Sequence, residues 1–154
     1  MNGAPEVLEE LNKNLNGELT AINQYLAHAG LLQNNGYSKL AVKIKGIAKQ
    51  EREHSEELIE RIMFLHGKLT RYAPEQTSEP DSILAMLEAD LSLERTAFND
   101  YNEGARVAVV HSDNGSRDLM THILHEEEEH INFFESQLLQ IQQMGLENYL
   151  ASQI

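Results

Sequence analysis

Residues 47–58 read IAKQEREHSEEL, and residues 123–134 read ILHEEEEHINFF. In each stretch a Glu is followed three residues later by a His: Glu51 and His54 in the first, Glu127 and His130 in the second. Positions i and i+3 lie about 60° apart around an α-helix, so both groups of a pair face one point. Each pair also interrupts an apolar stripe of helical spacing. The first stripe is Leu40, Ile44 and Ile47, then 51 and 54, then Leu58, Ile62 and Leu65. The second is Met120 and Ile123, then 127 and 130, then Phe134, Leu138 and Ile141. Two polar groups at inward positions of an otherwise apolar face mean a bundle with a polar centre.

Two more stripes complete the bundle. Leu8, Leu11, Leu15, Ile22, Tyr25, Ala29 and Leu32 flank an inward Glu18; Leu84, Leu87, Leu91, Phe98, Tyr101, Ala105 and Ala108 flank an inward Glu94. Boundary signals are Pro5 at a first helical turn, a stop at Asn34-Asn35-Gly36, Ser38 as a cap and Gly67 as a stop. Further on they are Asp81 or Ser82 as a cap, Asp113-Asn114-Gly115 before a restart at Ser116, and Gly145 as a stop. The spacing predicts an all-α single domain over 1–154, with helices at about 5–34, 38–66, 81–111 and 116–144 and a short one at about 146–152.

Link lengths set the topology. The links after the first and third helices are a few residues long, so each pair is an antiparallel hairpin. The middle link, Gly67 to Pro80, has 14 residues. Extended, it reaches roughly 46–50 Å, against about 42 Å for a helix of about 28 residues. It can therefore run the length of the bundle and make the second and third helices parallel. A shift of 76 residues carries Leu11, Leu15, Glu18, Thr20, Ala21, Asn23 and Tyr25 onto Leu87, Leu91, Glu94, Thr96, Ala97, Asn99 and Tyr101. The same shift carries Glu51, Glu53 and His54 onto Glu127, Glu129 and His130. One hairpin is used twice, and the 33-residue interval from Glu18 to Glu51 recurs from Glu94 to Glu127.

Composition narrows the chemistry. The formal net charge is −13, which opposes nucleic-acid binding and suits the attraction of cations. There is no Cys, so disulfides and thiolate metal sites are excluded, and oxygen and imidazole ligands favour Fe, Mn or Zn. No apolar run approaches the roughly 18 residues of a membrane span, and the N-terminal stretch lacks the pattern of a signal peptide, so a cytoplasmic protein is expected. Four buried carboxylates need counter-charge, and two divalent cations supply it while using both imidazoles as neutral ligands. One Glu from each of two helices plus Glu-x-x-His from each of the other two resembles the known pattern of ferritin-like di-metal carboxylate bundles. Tyr25 and Tyr101, seven residues after Glu18 and Glu94, are expected either to pack in the core or to hydrogen-bond a ligand carboxylate. Asn14 and Asp90, one turn before those Glu residues, are expected to orient the imidazoles.

These motifs resemble the bacterioferritin family over nearly the whole chain. GELTAINQYLAHA (17–29), EREH (51–54), MLEADLSLE (86–94), SRDLM (116–120), EEEH (127–130) and QMGLENYLASQI (143–154) carry the resemblance. It implies a ferritin-like four-helix bundle with one long crossover and a short C-terminal fifth helix. The family's six ferroxidase ligands fall on Glu18, Glu51, His54, Glu94, Glu127 and His130, and its tyrosine beside the centre falls on Tyr25. The resemblance further implies two Fe per subunit, Fe(II) oxidised by oxygen or peroxide, and ferric mineral stored in a shell of 24 subunits. Rival readings are a di-metal peroxidase or catalase-like enzyme, and a subunit co-assembling with haem-binding bacterioferritin. Two positions depart from the family. Its haem-ligating Met is replaced by Arg52, so no haem is expected in the homo-oligomer. Gly46 and Gln50 stand where some members carry a His and an Asp as an iron site facing the cavity.

Overall fold

In a computed structural model describing residues 1–77 and 79–154, five helices follow one another: α1 (Pro5–Asn34), α2 (Ser38–Phe64), α3 (Ile83–Val110), α4 (Asn114–Met144) and α5 (Leu146–Ala151). There is no strand among the described residues, and no helix is long and apolar enough to cross a membrane. The four long helices form the expected ferritin-like bundle, with α1 against α2, α3 against α4, and α1 against α3. Tyr149 of α5 is buried, and its hydroxyl donates to Gln137 Oε1 at 2.9 Å, pinning the short helix to α4.

Three helix ends share one geometry, but only one uses Gly. At the end of α1, Gly36 (φ 85°) donates to Gln33 O, and Tyr37 donates to Leu32 O. The same pair of bonds closes α2 and α3, where His66 and Ser112 take the left-handed position, each at φ 55°. The stop at α2 is thus one residue earlier than Gly67. Of the expected caps, the one for α3 holds and the one for α2 does not. Tyr37, not Ser38, precedes α2; Ser82 caps α3, accepting from Ala85 N. Helix α4 starts at Asn114 rather than at the expected Ser116, capped by Asp113, which accepts from Ser116 N at 2.9 Å and from Arg61 Nη2 at 2.6 Å. Gly115 lies inside the first turn of α4, where a Cβ would sit 2.6 Å from the Arg61 guanidinium. Close approach, not a turn, explains that glycine.

The crossover is tied down along α1. Asn12, almost fully buried, donates to Lys68 O at 3.0 Å and accepts from Thr70 N at 2.9 Å. One turn on, Asn16 donates to Ala73 O at 2.5 Å; another turn on, Thr20 Oγ1 accepts from Glu75 N at 3.0 Å. Positions 12, 16 and 20 share one helix face. The link therefore runs parallel to α1, from the end where α2 finishes to the end where α3 begins. That path makes α2 and α3 parallel.

The apolar interior falls into two clusters. One includes Tyr25, Leu32, Leu40, Ile44, Leu87, Leu91 and Phe134; the other includes Val7, Leu11, Leu15, Leu58, Ile62, Tyr101, Met120 and Ile123. On every long helix the inward Glu lies between the two. The bundle is two apolar cores separated by one polar layer.

Candidate metal centre

The polar layer is made of Glu18, Glu51, His54, Glu94, Glu127 and His130, all buried to 3% exposure or less. Helical spacing puts each of them at the inward position that an apolar residue fills one or two turns away. Glu51 reaches both imidazoles: its oxygens lie 2.8 Å from His130 Nδ1 and 3.4 Å from His54 Nδ1. Glu127 does the same, 3.0 Å from His54 Nδ1 and 3.9 Å from His130 Nδ1. Glu18 approaches His54 alone and Glu94 approaches His130 alone, each at 3.5 Å. Glu18, Glu51, His54 and Glu127 form one group whose ligand atoms all lie within 4.8 Å of one another; Glu51, Glu94, Glu127 and His130 form a second. Each group can hold one metal ion, and the two share Glu51 and Glu127.

The donor set fits divalent cations better than it fits itself. Glu18 Oε2, Glu51 Oε1, His54 Nδ1, Glu94 Oε2, Glu127 Oε1 and His130 Nδ1 are buried and make no contact of hydrogen-bond geometry, although Glu51 Oε1 lies 2.8 Å from His130 Nδ1 and Glu127 Oε1 lies 3.0 Å from His54 Nδ1. Each of the six residues thus contributes one unsatisfied atom to one small volume. Buried polar groups are rarely left so, and each costs about 1–3 kcal/mol. Burial, then the Glu51 charge, pushes the Glu18 carboxyl well up. Burial and the neighbouring Glu127 push Glu94 up to about 8. Burial works against a charged imidazole, yet Glu127, Glu51 and Glu94 outweigh it and raise His130 to about 12; His54 is raised by Glu127, Glu18 and Glu51. Protons therefore do the neutralising work that two divalent ions would do with the correct valence.

The surrounding contacts repeat the two-fold pattern of the sequence. Tyr25 O–H donates across the bundle to Glu94 Oε1, and Tyr101 O–H donates to Glu18 Oε1. Each tyrosine therefore serves the carboxylate of the other hairpin. The imidazoles are oriented by residues that the sequence pattern did not single out for it. His54 Nε2 faces Glu126 Oε2 at 2.6 Å, and His130 Nε2 faces Gln50 Oε1 at 2.8 Å. Both orienting residues immediately precede a Glu of the polar layer, and the 76-residue shift pairs them. The expectation for Asn14 and Asp90 is overturned. Asp90 accepts from Gln24 Nε2 at 2.8 Å and pairs with His28 Nδ1 at 2.7 Å, while Asn14 Nδ2 meets Met120 Sδ at 3.6 Å. Asp90 packs against α1, and the imidazoles sit on α2 and α4. His28 is buried with Asp90, whereas His66, His111, His122 and His125 are exposed.

Two cavities meet this layer. One of about 200 Å³ runs from Arg71 and Glu75 on the crossover, past Gly17 and Ala97, to Glu18 and Glu94. Another of about 350 Å³ is lined by Gly46, Gln50, Glu129 and His130. Arg52 points away from the centre, its side chain 75% exposed and 3.3 Å from Glu56.

The fold and the polar layer have counterparts in known proteins. Residues 8–144 match the model of the ferritin-like domain. A bacterial ferritin of Pseudomonas aeruginosa is 39% identical over 100% of both chains. A bacterioferritin of Streptomyces coelicolor is 36% identical, covering 100% of this chain and 92% of the relative. A bacterial ferritin of Synechocystis is 37% identical over 100% of this chain and 99% of the relative. An all-helical bundle with one tied crossover, a buried layer of four Glu and two His, and likeness over the whole chain lead to one conclusion: this protein belongs to the ferritin-like family, in its bacterioferritin and bacterial ferritin group.

Proposed function

We propose that this protein stores iron, and that each subunit oxidises Fe(II) at the layer formed by Glu18, Glu51, His54, Glu94, Glu127 and His130. The observation that carries the reading is the convergence of six buried, unsatisfied donor atoms, one from each of these residues. Two Fe(II) ions enter as substrate. Glu51 and Glu127, which face both imidazoles, lie between the ions; Glu18 with His54 and Glu94 with His130 complete the two ends. Each ion gives one electron. With dioxygen, two Fe(II), one O₂ and two protons yield two Fe(III) and one hydrogen peroxide. With peroxide, two Fe(II), one H₂O₂ and two protons yield two Fe(III) and two waters. Tyr25 and Tyr101 hold Glu94 and Glu18 in place during ion entry.

On this reading the subunits assemble as a hollow shell of 24 that holds ferric mineral in the cytoplasm, as the resemblance to bacterioferritins implies. Glu18→Ala and His130→Ala should each abolish the fast phase of Fe(II) oxidation followed by stopped-flow absorption; unchanged kinetics in either would defeat the reading. An electron-dense core after aerobic iron loading separates storage from a di-metal peroxidase, which retains its two ions and builds no core.

Arg52 favours one refinement. Arg has no thioether to give haem iron, so the homo-oligomer binds no bis-Met haem, and any haem enters with a co-assembled Met-bearing subunit. Native mass spectrometry of purified shells distinguishes a single subunit mass from a mixture. A bis-Met spectrum from the homo-oligomer would refute the assignment.

A further inference from the structure

The internal repeat matches the two halves of the centre residue for residue, with one exception in the groups that hold the imidazoles. The 76-residue shift that pairs His54 with His130 and Glu51 with Glu127 also pairs position 50 with position 126. These are the residues that face the Nε2 atoms, each across the bundle on the opposite hairpin. They occupy equivalent places, and both are half-buried. Their chemistry differs: Glu126 offers a carboxylate at 2.6 Å, Gln50 a neutral amide oxygen at 2.8 Å.

We propose that Glu126 and Gln50 make the two metal positions unequal, so that the position at Glu18 and His54 binds its ion more tightly than the position at Glu94 and His130. This inference rests on the di-metal reading of the centre. With an ion on Nδ1, the imidazole must carry its proton on Nε2 and donate it outward. A carboxylate acceptor pulls on that proton, raises electron density at Nδ1 and strengthens the metal bond; an amide oxygen does so weakly. The other unlike pair, Asn14 and Asp90, contacts no imidazole of the layer: Asn14 meets Met120, and the Asp90 carboxylate is taken up by Gln24 and His28. Each end has one carboxylate of its own, each of these accepts from one tyrosine, and Glu51 and Glu127 are shared. The charged groups lining the cavity beside Gln50, Lys43 and Glu129, are of opposite sign. Removal of such an outer partner typically changes metal affinity by about 10–100-fold. Glu126 is 34% exposed at its side chain, so solvent screens part of its charge and the lower figure, about tenfold, is expected.

The test uses assembled protein and Co(II), which binds oxygen and imidazole sites without oxidation in air. Calorimetric titration of the parent should resolve two steps about tenfold apart. Anomalous diffraction from crystals given one Co(II) per subunit should place cobalt beside His54. Glu126→Gln should weaken the tighter step until the two merge. Gln50→Glu should tighten the weaker step, a gain that mere loss of packing does not produce. The double swap should restore the separation with cobalt first beside His130. Equal filling of both positions in the parent, first filling beside His130, or swaps that leave both steps unmoved would overturn the inference while leaving a di-metal centre standing. Failure of cobalt to bind at either position would overturn the di-metal reading and this inference with it.

Discussion

At the scale of single residues, the polar layer holds protons where the proposed centre takes up metal ions. The folded-state values of Glu94, about 8, and His130, about 12, lie above their ordinary values of 4.5 and 6.5. A raised folded value means that the bound proton stabilises the fold. That contribution is complete below the ordinary value and fades as pH rises through the folded one. Between pH 6 and 9 Glu94 loses its proton, so the metal-free protein should lose stability across that window. Metal binds the deprotonated form, so the Co(II)-loaded protein should gain stability over the same window. Thermal midpoints of chelator-treated and Co(II)-loaded protein, measured side by side from pH 6 to 9, should diverge; parallel curves would contradict the assignment. The six residues of the polar layer were legible because a Glu at an inward position of an apolar stripe has no cheap structural explanation. Gln50 and Glu126 were not legible. A polar residue beside an inward position ordinarily faces water, and only the packing of α2 against α4 turns these two toward an imidazole. Asp90 misled for a related reason. Being one turn from Glu94 fixes its face on α3, but not the helix that face meets.

At the scale of elements, the length of the crossover was readable and its anchoring was not. Asn12, Asn16 and Thr20 sit on the polar side of α1, and nothing in their spacing says that a backbone rather than solvent satisfies them. Asn12→Ala leaves Lys68 O and Thr70 N without their partners and should cost about 1–3 kcal/mol, read as a lowered denaturant midpoint. A matching increase in protease cleavage within 67–80 would place the loss in the crossover. The helix ends make a complementary case. Gly36 announces its left-handed position, but Ser112, its equivalent under the 76-residue shift, does not. A non-glycine residue there costs about 1–2 kcal/mol, and the added freedom of glycine in the unfolded chain returns about half of it. Ser112→Gly should therefore raise stability by about 0.5–1 kcal/mol, a thermal midpoint higher by about 1–4 °C. A lower midpoint would show that Ser112 has a role beyond conformation.

At the scale of the whole molecule, the charge balance bears on how iron arrives. The chain carries 25 acidic against 12 basic residues, and only four of the acidic ones are the carboxylates of the polar layer. The rest cannot be explained by the fold, because a helical bundle of this kind tolerates a balanced surface equally well. A net charge of −13 per chain sets up a field that attracts cations. The cavity from Arg71 and Glu75 to Glu18 shows how local that field must become. Lys13 lines it together with Asp100, 3.0 Å away, so the two cancel, and Arg71 pairs with Glu9. With its own cations paired, the mouth presents no net barrier to a divalent ion, and long-range attraction decides the rate of arrival. Raising ionic strength from about 0.01 M to about 0.15 M shrinks the screening length from about 30 Å to about 8 Å. The second-order rate of Fe(II) oxidation at low iron should then fall several-fold, while the rate at saturating iron stays nearly constant. Stopped-flow measurements at fixed pH, with sodium chloride as the only variable, separate the two regimes. If the low-iron rate is indifferent to salt, the acidic surface does not steer the ion. If the saturating rate falls equally, salt acts on the centre rather than on the approach to it.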